Sequence, residues 1–154
     1  MSNKVESIFR SIAAGAQMES MEDAVINSSG IIGDRYSSGR GRWSAWPDKS
    51  GMAITMITRE VLDEIGVGAA QVRRNLVTVG VDLESLIGVV FQIGEIECVG
   101  IRPCRPCTFL EESVRVGIRS DLKDIRGGLR VDVVSGGRIK VGDEIRLTGF
   151  PLYL

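Results

Sequence analysis

The stretch Ile101-Arg102-Pro103-Cys104-Arg105-Pro106-Cys107 sets two thiols among two arginines and two prolines. Each proline removes a backbone donor and holds the residue before it extended, so neither a helix nor a central strand is expected to run through, and both thiols are expected on a stiff, displayed loop. Arg102 and Arg105 place positive charge beside the sulfurs, which favours thiolate and so a nucleophile or a metal ligand. The third cysteine, Cys98, stands between Glu97 and Val99 in an alternating stretch and reads as a small core hydrophobe.

Two other groups could bind an anion. Arg73-Arg74-Asn75 puts two guanidinium forks and an amide at the start of the apolar run 76–79. That arrangement suits phosphate, and it equally suits a solvated strand end. The glycine-rich run 37–44 carries Arg40 and Arg42 and leads into Trp43 and Trp46, a mixture that suits a planar anionic ligand. The residues alone favour a mobile basic loop with its tryptophans packed on the rim of a sheet or barrel.

Composition narrows the chemistry. The 154 residues contain no histidine, which removes Ser-His-Asp and Cys-His hydrolysis and mixed Cys/His zinc sites; three cysteines are one short of an all-cysteine zinc site. An odd cysteine count with two thiols three residues apart argues against a secreted disulfide framework. Net charge is -1, so no overall field draws the chain to nucleic acid or to a membrane surface. With no long apolar run and no leader pattern, it is expected to be a soluble cytoplasmic protein of one domain, 1–154.

Elements must position these groups. Val5, Ile8, Phe9 and Ile12 have helical spacing, although Lys4–Arg10 can also be read as a strand. Strands are expected at Asp23–Asn27, 52–57, Leu76–Val79, Val89–Ile93 and 95–101, the last two joined at Gly94. Thr58 is a plausible N-cap for a short helix that Gly66 ends, Asp82 could cap one turn, and 108–114 could be helical. Ser135-Gly136-Gly137 and Gly142-Asp143 separate three further strands, 129–134, 139–141 and 144–147, with hairpin chemistry, and the apolar tail 150–154 could close a sheet or meet another subunit. Short strands, glycine turns and no regular strand–helix alternation predict a mainly β fold, a closed and mostly antiparallel barrel with a few short helices.

The motifs Gly33-Asp34-Arg35-Tyr36, Arg73-Arg74-Asn75-Leu76-Val77, Gly94, Cys104-Arg105-Pro106-Cys107, Gly128-Leu129, Gly136-Gly137 and Gly142-Asp143-Glu144, in this order, resemble the MOSC family, named for the C-terminal domain of molybdenum cofactor sulfurase. The resemblance implies a closed β-barrel that begins with a strand, which selects the strand reading for Lys4–Arg10. It also implies a molybdenum cofactor (molybdopterin) attached through a cysteine thiolate, with Cys107 as metal ligand and catalytic residue and Cys104 beside it. Arg35, Arg73, Arg74 and Asn75 are then the cofactor-binding partners, the arginines for the terminal phosphate. No pyridoxal phosphate is expected in a chain of this length. The implied role is to carry or present the cofactor or its sulfur, with redox or cofactor-biosynthesis proteins as partners; an enzymatic form would reduce N-hydroxylated compounds with a separate electron donor. The residues leave two other classes open, a dithiol oxidoreductase using Cys104 and Cys107 and a non-catalytic interaction domain.

Overall fold

In the computed structural model, which describes residues 3–106 and 108–151, the segment Lys4–Arg10 is a strand, β1, despite its helical spacing. The cause is a register shift between Val5 and Ser7 where β1 pairs with β6 (Leu76–Val79). Residues three apart would face opposite sides of a regular strand, and the bulge brings Val5 and Ile8 to the same core. Ile12, which completed the apparent helical stripe, is exposed.

The chain continues through β2 (Glu19–Met21), β3 (Asp23–Asn27), β4 (Gly30–Ile31), β5 (Ile54–Thr58), α1 (Arg59–Ile65), β6, β7 (Val89–Ile93), β8 (Ile96–Pro103), α2 (Thr108–Ser113), α3 (Ile118–Asp121), β9 (Leu129–Ser135), β10 (Gly137–Lys140) and β11 (Ile145–Pro151). Thr58 caps α1 by accepting the Val61 N–H, and Gly66 ends it in the left-handed region at φ 69°. Among the described residues no helix is long and apolar enough to cross a membrane. Of the tail 150–154, residues 152–154 lie outside the described residues.

The expected closed barrel is not formed. The larger sheet runs β11-β7-β8-β9-β5-β6-β1-β2 and is open, and β10-β3-β4 make a separate three-stranded sheet. Among the described residues an isolated bridge, Lys4 to Glu144, and a few backbone hydrogen bonds around it link the β1 side to the chain entering β11, without a ladder. The larger sheet is also mixed, because β5 and β6 are parallel. Their crossover holds α1 and a 3-10 turn at Ala69–Val72, too short a helical pattern to announce a strand–helix–strand unit. The hairpin reading of the C-terminal glycines fails for a related reason: β10 pairs with β3 and β11 with β7, so the successive strands go to different neighbours. Gly136 does bring the chain close to β3, since a Cβ there would meet the Ile26 carbonyl oxygen at 2.5 Å. A glycine fixes that approach without choosing the next strand's partner.

Strands β5 and β6 are apolar on both faces because two cores meet on them. Ile54, Met56 and Leu76 pack into the core shared with Ala24, Ile26 and Ile139 of the smaller sheet, whereas Ile57 and Val77 face Leu62, Leu110, Ile118 and Leu122 of the helices. Cys98 lies in the first core, and burial pushes its thiol up from 9.0 to about 12, with Glu97 adding to the effect. The folded state keeps a proton that the unfolded chain gives up, so this contribution to stability is whole below about pH 9 and falls as pH rises towards about 12. In a Cys104→Ser/Cys107→Ser variant, the remaining thiol is expected to resist an aromatic disulfide reagent at pH 8 and to react once denaturant is added. Rapid labelling of the native protein would remove Cys98 from the core.

Candidate functional site

The turn after β4 buries the carboxylate of Asp34 completely. Its Oδ1 accepts from Ser11 N–H at 3.0 Å, Arg35 Nη1 at 3.1 Å and Asn75 Nδ2 at 3.3 Å, and its Oδ2 accepts from Tyr36 N–H at 3.2 Å. Arg35 is thereby held over the Tyr36 ring, 5.0 Å from its centroid, and donates to the Arg73 carbonyl at 3.2 Å. Asn75, predicted to touch the cofactor, is buried and does not line the cleft described below. Its Nδ2 also donates to the Phe9 carbonyl and its Oδ1 accepts from Thr55 N–H, tying β1 to β5.

Arg73 takes a left-handed backbone, φ 61°, uncommon for a residue with a side chain. It donates to the Ala16 carbonyl at 2.5 Å and to Ser11 Oγ at 3.4 Å. Arg74 is buried and donates through Nε, Nη1 and Nη2 to the carbonyls of Gly127, Val72 and Cys104 at 2.8, 2.9 and 3.2 Å. Among the described residues these three bonds engage three of the five N–H donors of the guanidinium.

The cysteine segment differs from its expected form. Strand β8 runs through Pro103, which pairs with Leu129, because the proline stands at a strand end where its missing donor does no harm. Cys104 is then buried and not displayed: 2 % of its surface is exposed, its N–H donates to the Gly128 carbonyl at 2.8 Å, and its own carbonyl accepts from Arg74. Gly127 makes this possible, since a Cβ there would meet the Cys104 carbonyl oxygen at 2.4 Å. Cys107, the predicted ligand, lies outside the described residues. Beyond it, Glu111 accepts from the Gly117 and Arg119 N–H groups at 2.6 and 3.0 Å, which holds its carboxyl below the usual range and fastens α2 to the start of α3.

These elements enclose a cleft of about 380 Å³. Cys104, Arg35, Arg73 and Arg74 all line it, with Tyr36, Trp43 and Thr55. Arg42, Arg105 and Arg130 bring the arginines to six, and among the described residues no aspartate or glutamate lines it. In a chain of net charge -1 this concentrates positive potential at one place. The loop of Arg42 and Trp43, read from sequence as a basic loop with rim tryptophans, contributes a guanidinium 5.4 Å from the Trp43 ring centroid. Arg130 was not anticipated; its signal is positional, because on β9 it stands directly opposite Arg102 of β8, and opposed like charges destabilise a sheet.

Residues 50–146, more than half of the chain, match the sequence model of the MOSC domain. The chain belongs to the MOSC domain family. That family is associated with molybdenum cofactor binding. Solved structures share the fold of this MOSC domain at low identity. One is the YuaD protein from Bacillus subtilis, with 18 % identity, a TM-score of 0.69 and coverage of 96 % of each chain. Another is YiiM from Escherichia coli, with 20 % identity, a TM-score of 0.68 and coverage of 97 % of this chain and 71 % of that one. YiiM from Geobacillus stearothermophilus is similar at 13 % identity, with a TM-score of 0.68 and coverage of 95 % and 75 %. No curated protein matches the chain. The matched residues include Arg73, Arg74 and the cysteine segment, whereas Asp34 and Arg35 precede them.

Asp34→Ala would strand a buried guanidinium and three N–H donors. Removing one partner of a buried pair costs about 3 to 5 kcal/mol, and urea unfolding should show a loss of that size. A loss below about 1 kcal/mol, the range of an exposed pair, would mean that the carboxylate does not hold this region together.

Proposed function

We propose that this MOSC domain binds a molybdenum cofactor in the arginine-lined cleft, and that it carries or presents the cofactor or its sulfur. The observation that supports this reading most is the cleft itself, which joins a buried cysteine to six arginines without a lining carboxylate. Among the described residues, no group of three or more Cys, Asp or Glu side chains is placed to hold a bare metal ion. Such a donor set suits a metal that arrives with its own sulfur ligands and needs one protein thiolate. A molybdopterin supplies a dithiolene-bound metal and a terminal phosphate.

The thiolate is assigned to Cys107 by its place in the motif, with Cys104 lining the cleft three residues earlier. Arg73 and Arg74, together with Arg35, take the phosphate: planar, permanently charged donors hold an anion bidentately in a site that water only partly reaches. Arg74 also donates to the Cys104 carbonyl, so the same side chain would hold the anion and the start of the cysteine segment. Reduction of an N-hydroxylated compound would require electrons from a separate protein.

A dithiol oxidoreductase fits the site less well, because disulfide exchange requires access to sulfur and Cys104 is 2 % exposed. Protein purified from molybdenum-replete cells decides between the two. Molybdenum and pterin should be found together; Cys107→Ser should abolish their retention, because serine is a harder and far less acidic donor, and Cys104→Ser should leave a substantial part. Arg73→Ala should weaken cofactor binding at least roughly tenfold, the equivalent of losing one charge-assisted hydrogen bond of about 1.5 to 3 kcal/mol. Equal molybdenum in the parent and the Cys107 variant would overturn the ligand assignment. A metal-free parent with a reversible two-electron thiol couple would replace the whole reading.

A further inference from the structure

The basic surface does not end at the cleft. An adjoining groove of about 590 Å³ is lined by Arg42, Arg102, Arg105, Arg119 and Arg130 beside Trp43, again with no acidic side chain among the described residues of its lining. It continues into a hollow that adds Trp46. The nearby acids stand outside both linings: Glu111 and Asp124 line the next hollow, on the other side of Arg102, Arg105 and Arg119, and Asp48, held below the usual carboxylate range by hydrogen bonds from Ser50, adds a weaker attraction for Arg102. Arg102 and Arg130 stand opposite each other across β8 and β9, a pairing of like charges that destabilises a sheet and that a bound anion would relieve, although Arg102 also donates to the Ser50 carbonyl and Oγ at 3.0 and 3.4 Å. The two tryptophans leave 41 % and 60 % of their surfaces exposed, although an indole is among the side chains that gain most from burial. Guanidinium forks select phosphate, and exposed indoles select flat rings.

We propose that this outer groove is a second site, which binds a phosphorylated aromatic ligand such as a nucleoside monophosphate. The phosphate lies among Arg102, Arg105, Arg119 and Arg130, and the ring lies on Trp43 and Trp46. Arg102, Arg119 and Trp46 do not line the inner cleft, whereas Arg42, Arg105, Arg130 and Trp43 border both. Two anions would therefore be held side by side, one sharing the wall of the other. As a substrate site the groove rests on the function proposed above; as a binding site it does not.

The test is titration of the purified chain with AMP, adenosine and inorganic phosphate, followed by tryptophan fluorescence and calorimetry. AMP should change the fluorescence and bind at least tenfold more tightly than adenosine or phosphate alone, because each of these has half of the recognised chemistry. Arg102→Ala and Arg119→Ala should each weaken AMP severalfold, and Trp46→Ala should weaken AMP without altering the weak binding of phosphate. Arg119 is exposed on α3, so its variant keeps the test sharp if the strand variant does not fold. Arg73→Ala should leave AMP affinity as it is. No AMP binding at millimolar concentration, AMP bound no more tightly than phosphate, or AMP affinity lost with Arg73→Ala would each overturn the proposal. These outcomes are independent of molybdenum content, so failure here and failure of the cofactor reading are separate results.

Discussion

Burial of the Asp34 carboxylate is the constraint on which the site depends. A carboxylate removed from water must be met by donors from whatever surrounds it, and here those donors come from separate parts of the chain: the end of β1 at Ser11, the turn itself at Arg35 and Tyr36, and the start of β6 at Asn75. Satisfying one charge therefore fixes three segments against each other. Arg35 then reaches the Arg73 carbonyl, and Arg74 reaches the carbonyl of Cys104, so the fixed geometry is passed through guanidinium–carbonyl bonds to the cysteine segment.

The cleft sets the opposite problem, several positive charges that no lining carboxylate balances. Their distribution limits the cost. Arg35 has Asp34 behind it, Arg74 is surrounded by carbonyl dipoles, and Arg105 is exposed to water that screens it. What remains is a field concentrated in the cleft and the groove beside it, since the 19 basic and 20 acidic residues nearly cancel over the whole molecule.

Local chemistry in the sequence was a good guide where one residue decides one feature. Thr58 and Gly66 bound α1, Gly94 turns β7 into β8, and Cys98 is core. Features that depend on partners far along the chain were not legible. The bulge in β1 makes a strand imitate helical spacing, and the C-terminal glycines hide that β10 and β11 join different sheets. A closed barrel requires a ladder between the first and last strands of a sheet, and nothing in a strand's own residues reports whether that ladder forms. The arginines show the same limit. Arg73 and Arg74 were visible as a neighbouring pair, whereas Arg130 becomes informative only when the β8–β9 register sets it against Arg102.

Asn75 and Arg74 show how two polar side chains of one motif come to different places, one inside the framework and one in the wall of the cleft. Both are polar, both are buried, and both stood in the same motif. The amide offers few bonding sites, and Phe9, Asp34 and Thr55 engage its nitrogen and its oxygen. The guanidinium has more donors than its three carbonyls take, and they radiate in a plane, so it can hold the cysteine segment on one edge and face the cleft with another. A lysine at that position could not do both, because a single ammonium group directs its three donors from one point and would have to leave the carbonyls to meet an anion. Arginine is therefore the side chain that can be part of the wall and part of the site at once.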